Sequence, residues 1–320
     1  MNELITILLA TYNGEKYISH QLDSLLKQSY SNWHLLIRDD HSTDHTPVII
    51  DQYCKLYPNK ISVVENISSD RGSISNFNAL LNAATDAAYM MFCDQDDEWM
   101  NNKIEVTYRK MQELEHQYGK DCPIMVFTDF LYVDESMNVI ESKRNFTVNR
   151  FKNIGFSQML VQNPAYGCTT MINRALAEKV AAIPLQAENH DYWVALVAAA
   201  FGKLYYLSQK TILYRQHASN VSGNYNNSSL KKRVQRILLN KKNLEILANK
   251  KRMLLQFKSM YYLQLNSAFK KIFDDFLALY HTTSLLLIWK NIRNGIKSQT
   301  TLQTFLLFSS FFFYKKKDIH

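Results

Sequence analysis

The first hundred residues alternate short apolar runs with segments of helical periodicity, and this alternation restricts the fold more than any other feature. The apolar runs predict four buried strands, at residues 4–10, 34–38, 61–65 and 88–93. Apolar residues at i, i+3 and i+4 predict helices between them, at residues 17–26, 44–57 and 74–84. Strands that alternate with helices predict an α/β domain of three layers, α/β/α, around a Rossmann-like, mostly parallel sheet.

The alternation becomes less regular beyond residue 100. The pattern predicts a helix over 101–117, a strand over 123–130, a helix from Asn173 to Val180, and another that starts near Asp191 and is closed by Gly202. After about residue 225 the chain is rich in lysine, with leucines at mainly helical spacing. We therefore predict an α/β domain over 1–225 and a basic helical region over 226–320.

Charge is distributed unevenly between these two parts. From residue 221 onward there are 18 Lys and Arg against 4 Asp and Glu, a net charge of +14. The first 220 residues hold 19 basic and 25 acidic residues, a net charge of −6. The two parts are therefore expected to face different partners.

The cysteines and the N-terminal residues predict that the protein lies in the cytoplasm. The four cysteines include no C-x-x-C pair, which argues against a zinc site or a disulfide framework and favours a reducing, cytoplasmic environment. The first residues, M-N-E-L-I-T-I-L-L-A, carry an acid where a secretory signal carries positive charge. We interpret them as the first strand.

Three polar segments follow strands at their carboxyl ends, where open α/β sheets bind ligands. They are A-T-Y-N-G (10–14), R-D-D-H-S-T-D (38–44) and C-D-Q-D-D-E-W (93–99). The chain contains no G-x-G-x-x-G or G-x-x-x-x-G-K motif that would bind phosphates through backbone amides. A metal ion is then the simplest source of positive charge for a phosphate ligand.

The third segment places three carboxylates, Asp94, Asp96 and Asp97, within four residues. Their mutual repulsion is unfavourable unless water or a cation offsets it. Mg²⁺ or Mn²⁺ matches such oxygen ligands and commonly completes its coordination with substrate phosphates. The alternative is a solvated acidic turn, which is common in proteins.

Together these motifs resemble the nucleotide-binding half of family 2 inverting glycosyltransferases, which have the GT-A fold. Later motifs are similar to bacterial rhamnosyltransferases of that family: G-C-T-T-M-I-N-R-A-L (167–176), H-D-Y-W (190–193), Y-R-Q-H (214–217) and N-V-S-G (220–223). The resemblance covers residues 1 to about 225. It implies a nucleotide-sugar half over 1–100, an acceptor half over 101–225, and transfer of a sugar with inversion.

The resemblance also implies which residues bind the nucleotide sugar. Thr11 and Tyr12 would line the base and ribose, Asn13 would also bind the nucleotide sugar, and Asp40 or its neighbour Asp39 would accept a hydrogen bond from the pyrimidine. Asn76 would contact sugar or phosphate. The alternatives are turn-capping roles for the two carboxylates and a helix cap for Asn76.

Asp191 in H-D-Y-W occupies the position of the general base in similar enzymes. The alternative is a helix N-cap, because Asp191 precedes a long apolar segment. For the metal and the diphosphate, the resemblance implies Asp94, Asp96, Asp97 and His217 as ligands, with Asp94 and Arg215 also contacting the donor. A buried structural histidine is the alternative for His217.

The resemblance implies that the acceptor lies near His190 and Trp193, with the Trp193 ring as a surface on which the acceptor sugar stacks. The alternative is that Trp193, like Trp99, is a core residue. By analogy alone, the donor is dTDP-L-rhamnose and the product belongs to cell-wall, capsule or O-antigen polysaccharide. The alternatives are a UDP-hexose donor, or a non-catalytic scaffold that binds sugar nucleotides or polysaccharide.

The apolar segment 301–314 precedes Lys315, Lys316 and Lys317. Fourteen helical residues reach about 21 Å, short of the roughly 30 Å hydrocarbon core of a bilayer. Aromatic residues beside lysines favour a peripheral position on an anionic membrane, at the inner face of the cell membrane, where a lipid-linked acceptor would lie. The alternative is a terminal helix packed on the domain. Nucleic acid is disfavoured because the first part of the chain is acidic.

Overall fold

A mixed sheet organises the residues described by the computed structural model, which are 3–67, 70–141, 154–217, 241–298 and 300–315. In this part of the chain the sheet has eight strands in the order β3-β2-β1-β4-β7-β6-β8-β5. The strands are β1 (Ile5–Thr11), β2 (Trp33–Asp39), β3 (Ile61–Val63), β4 (Tyr89–Cys93), β5 (Glu98–Trp99), β6 (Ile124–Val133), β7 (Thr170–Asn173) and β8 (Lys203–Arg215). The helices are α1 (Ile18–Leu26), α2 (Thr46–Leu56), α3 (Ser73–Ala83), α4 (Lys103–Tyr118), α5 (Phe156–Met159), α6 (Arg174–Val180), α7 (His190–Phe201), α8 (Lys241–Tyr261), α9 (Ser267–Ala278), α10 (Leu285–Arg293) and α11 (Thr301–Lys315).

The strands predicted for the first hundred residues form the parallel half of the sheet. β1 pairs in parallel with both β2 and β4, and β3 pairs with β2 on its other side. β1 and β4 are buried almost throughout because a helix layer covers each face of the sheet. The four strands and three helices predicted here are confirmed, with ends that differ by one or two residues.

The second half of the sheet adds two reversed strands, β5 and β7, to the predicted mostly parallel arrangement. β7 lies between β4 and β6 and is antiparallel to both, and β5 is antiparallel to β8. The sequence predicted β6 and the helices α4, α6 and α7, but it missed β5, β7 and β8. β5 and β7 are only 2 and 4 residues long, and the first part of β8 is largely exposed, so none has the apolar run of a buried strand.

Gly202 allows the chain to turn from α7 directly into β8. A Cβ atom at this position would lie 1.8 Å from the Pro123 carbonyl oxygen, so only glycine fits. The Lys203 N–H donates to that same oxygen, at 2.8 Å, and starts the parallel pairing of β8 with β6. This pairing carries the end of β8, at Arg215, to the edge of the sheet where the acidic segment lies.

Apolar side chains on the two faces of the sheet form two separate cores. In β1, Ile7 and Leu9 belong to the core under α1 and α4, whereas Leu8 belongs to the core under α3 and α7. This division follows from the alternation of side chains along a strand. The predicted three-layer α/β/α arrangement is therefore confirmed.

The C-terminal helices extend the second of these cores. The Phe257 ring of α8 lies 5.9 Å from the Trp193 ring of α7, and Phe276 of α9 lies 5.9 Å from Phe311 of α11, between centroids. Leu306 and Phe308 of α11 are also buried. One face of the terminal helix thus packs on the domain, as the alternative interpretation of this segment expected.

Several sequence predictions fall outside the described residues. The predicted boundary at 225 and the N-V-S-G motif at 220–223 lie within residues 218–240, and Lys316 and Lys317 lie beyond residue 315. Within the described ranges, no helix combines the length and apolarity needed to cross a bilayer.

Candidate active site

The three polar segments meet at one edge of the sheet because the strands before them are neighbours. β1 lies between β2 and β4 in parallel register, with Thr11 opposite Asp39 and Leu9 opposite Cys93. The carboxyl ends of parallel strands point in the same direction, so the residues that follow them share one edge. The chain therefore brings together the segments that begin at Thr11, Asp39 and Asp94.

Asp39 organises the turn after β2. Its Oδ1 accepts hydrogen bonds from the Thr11 hydroxyl at 2.7 Å and the Ser42 hydroxyl at 2.6 Å. Its Oδ2 accepts the Ser42 backbone N–H at 2.8 Å. With three donors already bound, Asp39 acts as the capping group of this turn, which was one of its two predicted roles.

Tyr12 and Asn13 form the rim of the same edge. The backbone N–H and carbonyl of Tyr12 are both bonded to the Gln95 side-chain amide, at 2.9 Å each, while the residue as a whole is 52% exposed. Asn13 has a positive φ of 46°, and its Oδ1 accepts the Thr43 N–H at 2.8 Å. Gln95 thus fixes the backbone of Tyr12 and leaves its ring available to a ligand.

Asp40 differs from its neighbour Asp39. It is buried, its Oδ2 accepts the Gly72 N–H at 2.7 Å, and its Oδ1 has no donor within hydrogen-bond distance among the described residues. A buried carboxylate oxygen without a donor is costly, and an N–H group of a ligand would satisfy it. Of the two carboxylates offered as readers of the base, Asp40 is the better placed.

Asn76 is buried under this edge. Its Oδ1 accepts from Arg38 Nη1 at 2.9 Å, and its Nδ2 donates to the Arg38 carbonyl at 3.0 Å. Arg38 is itself almost fully buried, so it requires such an acceptor. Asn76 thus holds Arg38 in place, and its Nδ2 also lies 3.4 Å from the Thr11 carbonyl.

The acidic segment after β4 contacts the end of β8. Asp96 Oδ2 lies 2.8 Å from His217 Nε2, and Asp97 Oδ1 accepts the Arg215 backbone N–H at 3.1 Å. The Arg215 side chain binds the same turn, because its Nε donates to the Asp96 carbonyl at 2.9 Å. Four of the five residues predicted as metal and diphosphate ligands are therefore in contact across the site, although about 120 residues of chain separate Asp96 and Asp97 from Arg215 and His217.

Burial and repulsion make this turn electrostatically unfavourable on its own. Burial, followed by the charges of Asp96 and Asp191, raises the pKa of Asp94 to about 7. Burial, together with the charges of Asp96 and Asp94, raises the pKa of Asp97 well above its usual range. Both shifts mean that the negative charges lack sufficient compensation within the protein.

The donor set fits a divalent cation. One ligand atom each from Asp94, Asp97 and Cys168 lie within 4.8 Å of one another, and Asp97 Oδ2 is buried without a hydrogen bond to a described nitrogen or oxygen donor. Asp96 and His217 add a carboxylate and an imidazole beside them. Oxygen ligands with one imidazole suit Mg²⁺ or Mn²⁺, and the Cys168 thiol lies next to them.

Asp191 lies in the first turn of α7, where Asn189 occupies the N-cap position. One carboxylate oxygen accepts the Gly167 N–H at 2.8 Å and the other accepts Asn163 Nδ2 at 3.1 Å. Burial raises the pKa of Asp191 to about 6 despite these bonds. Asp191 is thus not the helix cap, and the two donors hold a carboxylate that titrates near neutral pH.

The two predicted acceptor residues point away from open space. Trp193 is fully buried and packs against Phe257, so in this structure it has no surface on which a sugar could stack. His190 is also buried: its ring stacks on Phe77 with centroids 3.8 Å apart, and burial lowers its pKa to about 3. The expectation of an acceptor platform at Trp193 is therefore wrong in this structure, and His190 is an uncharged packing residue.

The structure adds four residues that the sequence interpretation did not single out. They are Gln95, which fixes the Tyr12 backbone; Cys168, which lies beside Asp94 and Asp97; Asn163, which donates to Asp191; and Lys103, which is fully buried behind the acidic turn. Gln95 and Cys168 lie inside motifs that the sequence does display. Asn163 and Lys103 give no comparable signal, because only the fold brings them to the site.

Comparison with known proteins is consistent with this geometry. The model for the family described as "Glycosyl transferase family 2" matches residues 6–180. The chain is 27% identical to the dTDP-rhamnosyl transferase RfbG of Shigella flexneri, over 67% of this chain and 73% of that protein. It is 25% identical to the UDP-Glc:alpha-D-GlcNAc-diphosphoundecaprenol beta-1,3-glucosyltransferase WfgD of Escherichia coli, over 61% of this chain and 70% of that protein.

Solved structures share the fold. Staphylococcus aureus TarS 1-349 in complex with UDP superimposes with a TM-score of 0.57 at 14% identity, covering 95% of this chain and 86% of that one. The mannosyltransferase PcManGT of Pyrobaculum calidifontis, in complex with GDP-Man and Mn²⁺, gives 0.56 at 16% identity, covering 91% and 72%. These likenesses confirm the GT-A fold predicted from the motifs.

Proposed function

Because the chain belongs to glycosyl transferase family 2 and is a glycosyltransferase, we propose that it transfers L-rhamnose from dTDP-L-rhamnose to a saccharide acceptor. The proposed transfer inverts the anomeric carbon and uses a divalent cation. The observation that carries this proposal is the electrostatics of the sheet edge. Two separate carboxylate groups lie at this edge, because Asp191 accepts the Gly167 N–H while the next residue, Cys168, lies beside Asp94 and Asp97. Such an arrangement suits a reaction that needs a base on one side and a cation on the other.

Asp191 is the proposed general base. It accepts the proton of the acceptor hydroxyl as that oxygen bonds to the anomeric carbon of the donor. The bond from that carbon to the phosphate oxygen breaks, and its electron pair leaves with the nucleoside diphosphate. Attack on the face opposite the leaving group inverts the anomeric centre. The Gly167 N–H and Asn163 amide, at 2.8 and 3.1 Å, orient the carboxylate for this step.

The acidic turn and the end of β8 form the proposed diphosphate site. Asp96 and His217 would hold the cation, with Asp94 and Asp97 beside them, and Mg²⁺ or Mn²⁺ is the proposed metal. When bound, the cation would offset the negative charge of the departing diphosphate. Arg215 holds the Asp96 carbonyl from behind and so keeps the turn in position.

The nucleotide would lie across the ends of β1 and β2. The exposed Tyr12 ring is free to stack on or pack against a base, and Asp40 Oδ1 is a buried acceptor for the N–H of a pyrimidine. Thr11, Asn13 and Asp39 hold the loops around them. This chemistry suits thymine and uracil equally, because both carry that N–H.

The choice of rhamnose is supported by the name of one relative, the dTDP-rhamnosyl transferase RfbG. A second candidate is a UDP-hexose donor, which the name of the glucosyltransferase WfgD supports. That relative acts on a diphosphoundecaprenol-linked sugar, which supports a lipid-linked acceptor in cell-wall, capsule or O-antigen polysaccharide synthesis. With a C-terminal part of net charge +14, we place the enzyme peripherally at the inner, anionic face of the membrane.

A donor panel tests the proposal. The full chain is incubated with Mn²⁺ or Mg²⁺ and with dTDP-L-rhamnose, UDP-glucose, UDP-galactose or GDP-mannose, and release of nucleoside diphosphate is measured. We expect the highest rate with dTDP-L-rhamnose and loss of that rate with EDTA. A higher rate with a UDP-hexose would replace the donor assignment. Thermal shifts with nucleotides but no release from any donor, with or without extracted lipid acceptor, would contradict catalysis and favour a binding scaffold.

A further inference from the structure

Helix α10 (Leu285–Arg293) exposes more large apolar surface than a helix on a water-soluble surface normally does. Four large apolar side chains are exposed, namely Leu285 at 80%, Leu286 at 64%, Trp289 at 52% and Ile292 at 47%. The buried residue of the helix is the polar Asn291. Surface helices normally bury their apolar stripe and expose their polar one, so this helix is unusual.

The exposed apolar residues lie on one side of the helix. Leu285, Trp289 and Ile292 follow the i, i+4, i+7 spacing of a single face, and Leu286 borders it. We call these four residues, with Lys290 and Arg293, the outward face of α10. It is available because other groups already fix the helix to the domain: Leu287 and Ile288 pack against the core, and Asn291 Nδ2 donates to the Asp275 carbonyl at 2.9 Å.

The charged residues of this helix and of the segment that follows it are all basic, while the Asp275 carboxylate beside the helix accepts a hydrogen bond from Asn294 Nδ2 at 3.1 Å. Lys290 and Arg293 are exposed on α10 and Lys297 follows it, while the sequence from 276 to 317 contains six Lys and Arg and no Asp or Glu. The Arg293 guanidinium lies 4.6 Å from the centre of the Trp289 ring. An exposed aromatic residue beside cations is the composition found at the headgroup level of membranes.

We propose that the outward face of α10 binds the surface of an anionic lipid bilayer. Its apolar side chains would enter the boundary between headgroups and acyl chains, about 5–10 Å deep, and its basic groups would contact lipid phosphates. This proposal rests on the proposed function in one respect, because a lipid-linked acceptor would lie at the same surface. It assigns the contact to a helix upstream of segment 301–314, whose inner face is buried in the protein.

The tryptophans make the proposal directly measurable. Trp33, Trp99 and Trp193 are all buried, so Trp289 is the exposed one among the four. Full-length protein is titrated with vesicles of phosphatidylcholine alone, or with 30 mol% phosphatidylglycerol, and Trp emission and sedimentation with vesicles are recorded. We expect a blue shift and sedimentation with the anionic vesicles only. In Trp289→Phe the shift should vanish while sedimentation persists.

Two sets of variants locate the contact. Leu286→Ser/Ile292→Ser should lower the vesicle partition coefficient about a hundredfold, because both side chains lose their burial in lipid. Lys290→Gln/Arg293→Gln should lower it about tenfold or more, and increasingly so at low salt. The matched control is Val48→Ser/Leu56→Ser on α2, where two apolar residues are also exposed and where partition should stay unchanged.

The contradicting results are distinct. Equal partition of wild type and Leu286→Ser/Ile292→Ser, absence of vesicle binding, or a Trp289 shift that follows protein concentration without lipid would each overturn the proposal; the last would indicate self-association through this face. None of these readouts requires catalysis. Vesicle binding without sugar transfer would therefore contradict the proposed function alone, and transfer to a water-soluble acceptor without vesicle binding would contradict the α10 contact alone.

Discussion

The turns after β2 and β4 are both acidic and lie side by side at one edge of the sheet, but they compensate their charge differently. In the first turn, Asp39 accepts three hydrogen bonds from Thr11 and Ser42. In the second, burial and the neighbouring carboxylates raise the pKa of Asp94 to about 7 and raise the pKa of Asp97 well above its usual range. A carboxylate that protein donors already satisfy shapes a loop, whereas carboxylates that repel one another require a cation.

The comparison separates two roles that the sequence alone does not distinguish. D-D-H-S-T-D and D-Q-D-D look equally acidic in the sequence. Only the count of donors around each carboxylate indicates that the first turn builds the nucleotide rim and the second bears uncompensated charge. Asp40 is intermediate, since one oxygen is bonded to Gly72 and the other has no donor among the described residues.

The largest change in activity is expected from substitution of Asp191, a carboxylate that belongs to neither of the two acidic turns. Like Asp39 it accepts hydrogen bonds, yet burial raises its pKa to about 6. Asp191→Asn should lower kcat by about 10²–10⁴ while the donor Kd stays nearly unchanged, because the amide cannot accept the proton. Transient kinetics and calorimetry would measure the two quantities.

The pH profile of the wild type provides the control for Asp191. A base must be ionised, so kcat/KM should rise with pH up to about 6 and then level off. The residual activity of Asp191→Asn should lack this limb. If the variant retains native kcat, or if the limb persists in it, Asp191 is not the base.

The second largest effect is expected on Mn²⁺ affinity, and it tests directly whether the two turns have different roles. Asp96→Ala removes a ligand beside His217 and should weaken Mn²⁺ affinity about 100-fold or more. Asp39→Asn keeps most of the turn and should leave Mn²⁺ affinity within about threefold, while it lowers the free energy of unfolding by about 1–3 kcal/mol. Calorimetric titration with Mn²⁺ and denaturant unfolding distinguish the outcomes. Equal loss of Mn²⁺ binding in both variants would remove the distinction between the turns.

The sequence predicted those parts of the site that a single strand end determines. Thr11 and Asp39 are the last residues of β1 and β2, and the D-Q-D-D carboxylates follow β4, so recognising these strands was enough to locate them. Arg215 and His217 came from a motif resemblance, because β8 itself was not predicted. Their contact with Asp96 and Asp97 depends on how β8 pairs with β6, a pairing that begins at the close approach of Gly202 to Pro123 and shifts register between Thr128 and Phe130.

The sequence could not predict the direction in which neighbouring side chains point. Asp191 and Trp193 are two residues apart on one helix, and side chains at i and i+2 do not share a face. With Asp191 held by Gly167 and Asn163, Trp193 points into the core. The orientation of the Asn76 side chain likewise depends on a residue 38 positions away, because the buried Arg38 guanidinium needs the Asn76 amide oxygen as an acceptor.

The third effect concerns the charge of the turn after β4. A raised carboxylate pKa means that the folded chain binds protons more tightly than the unfolded chain, so the metal-free protein loses stability as pH rises from about 4 through about 7. A cation takes the place of those protons. Saturating Mn²⁺ should therefore raise Tm by roughly 4 °C or more at pH 8 and by clearly less at pH 5.5. Scanning calorimetry would show this, and a shift that grows as pH falls would contradict the assigned cation site.

The smallest change in Mn²⁺ affinity is expected from substitution of Lys103, a buried cation of the protein near the turn after β4. Lys103 is fully buried, its Nζ lies 4.5 Å from the Trp99 ring centre with no hydrogen bond to a described residue, and burial lowers its pKa to about 8. Its charge reduces the repulsion among the carboxylates only in part, and it opposes a second cation. Lys103→Met should therefore tighten Mn²⁺ binding a few-fold, with a free energy of unfolding unchanged or higher, because a buried unpaired charge is replaced by an apolar chain of similar volume. Weaker Mn²⁺ binding in a stably folded Lys103→Met protein would show instead that Lys103 positions Asp97 for the metal, and the turn after β4 would then depend on a protein partner as the turn after β2 does.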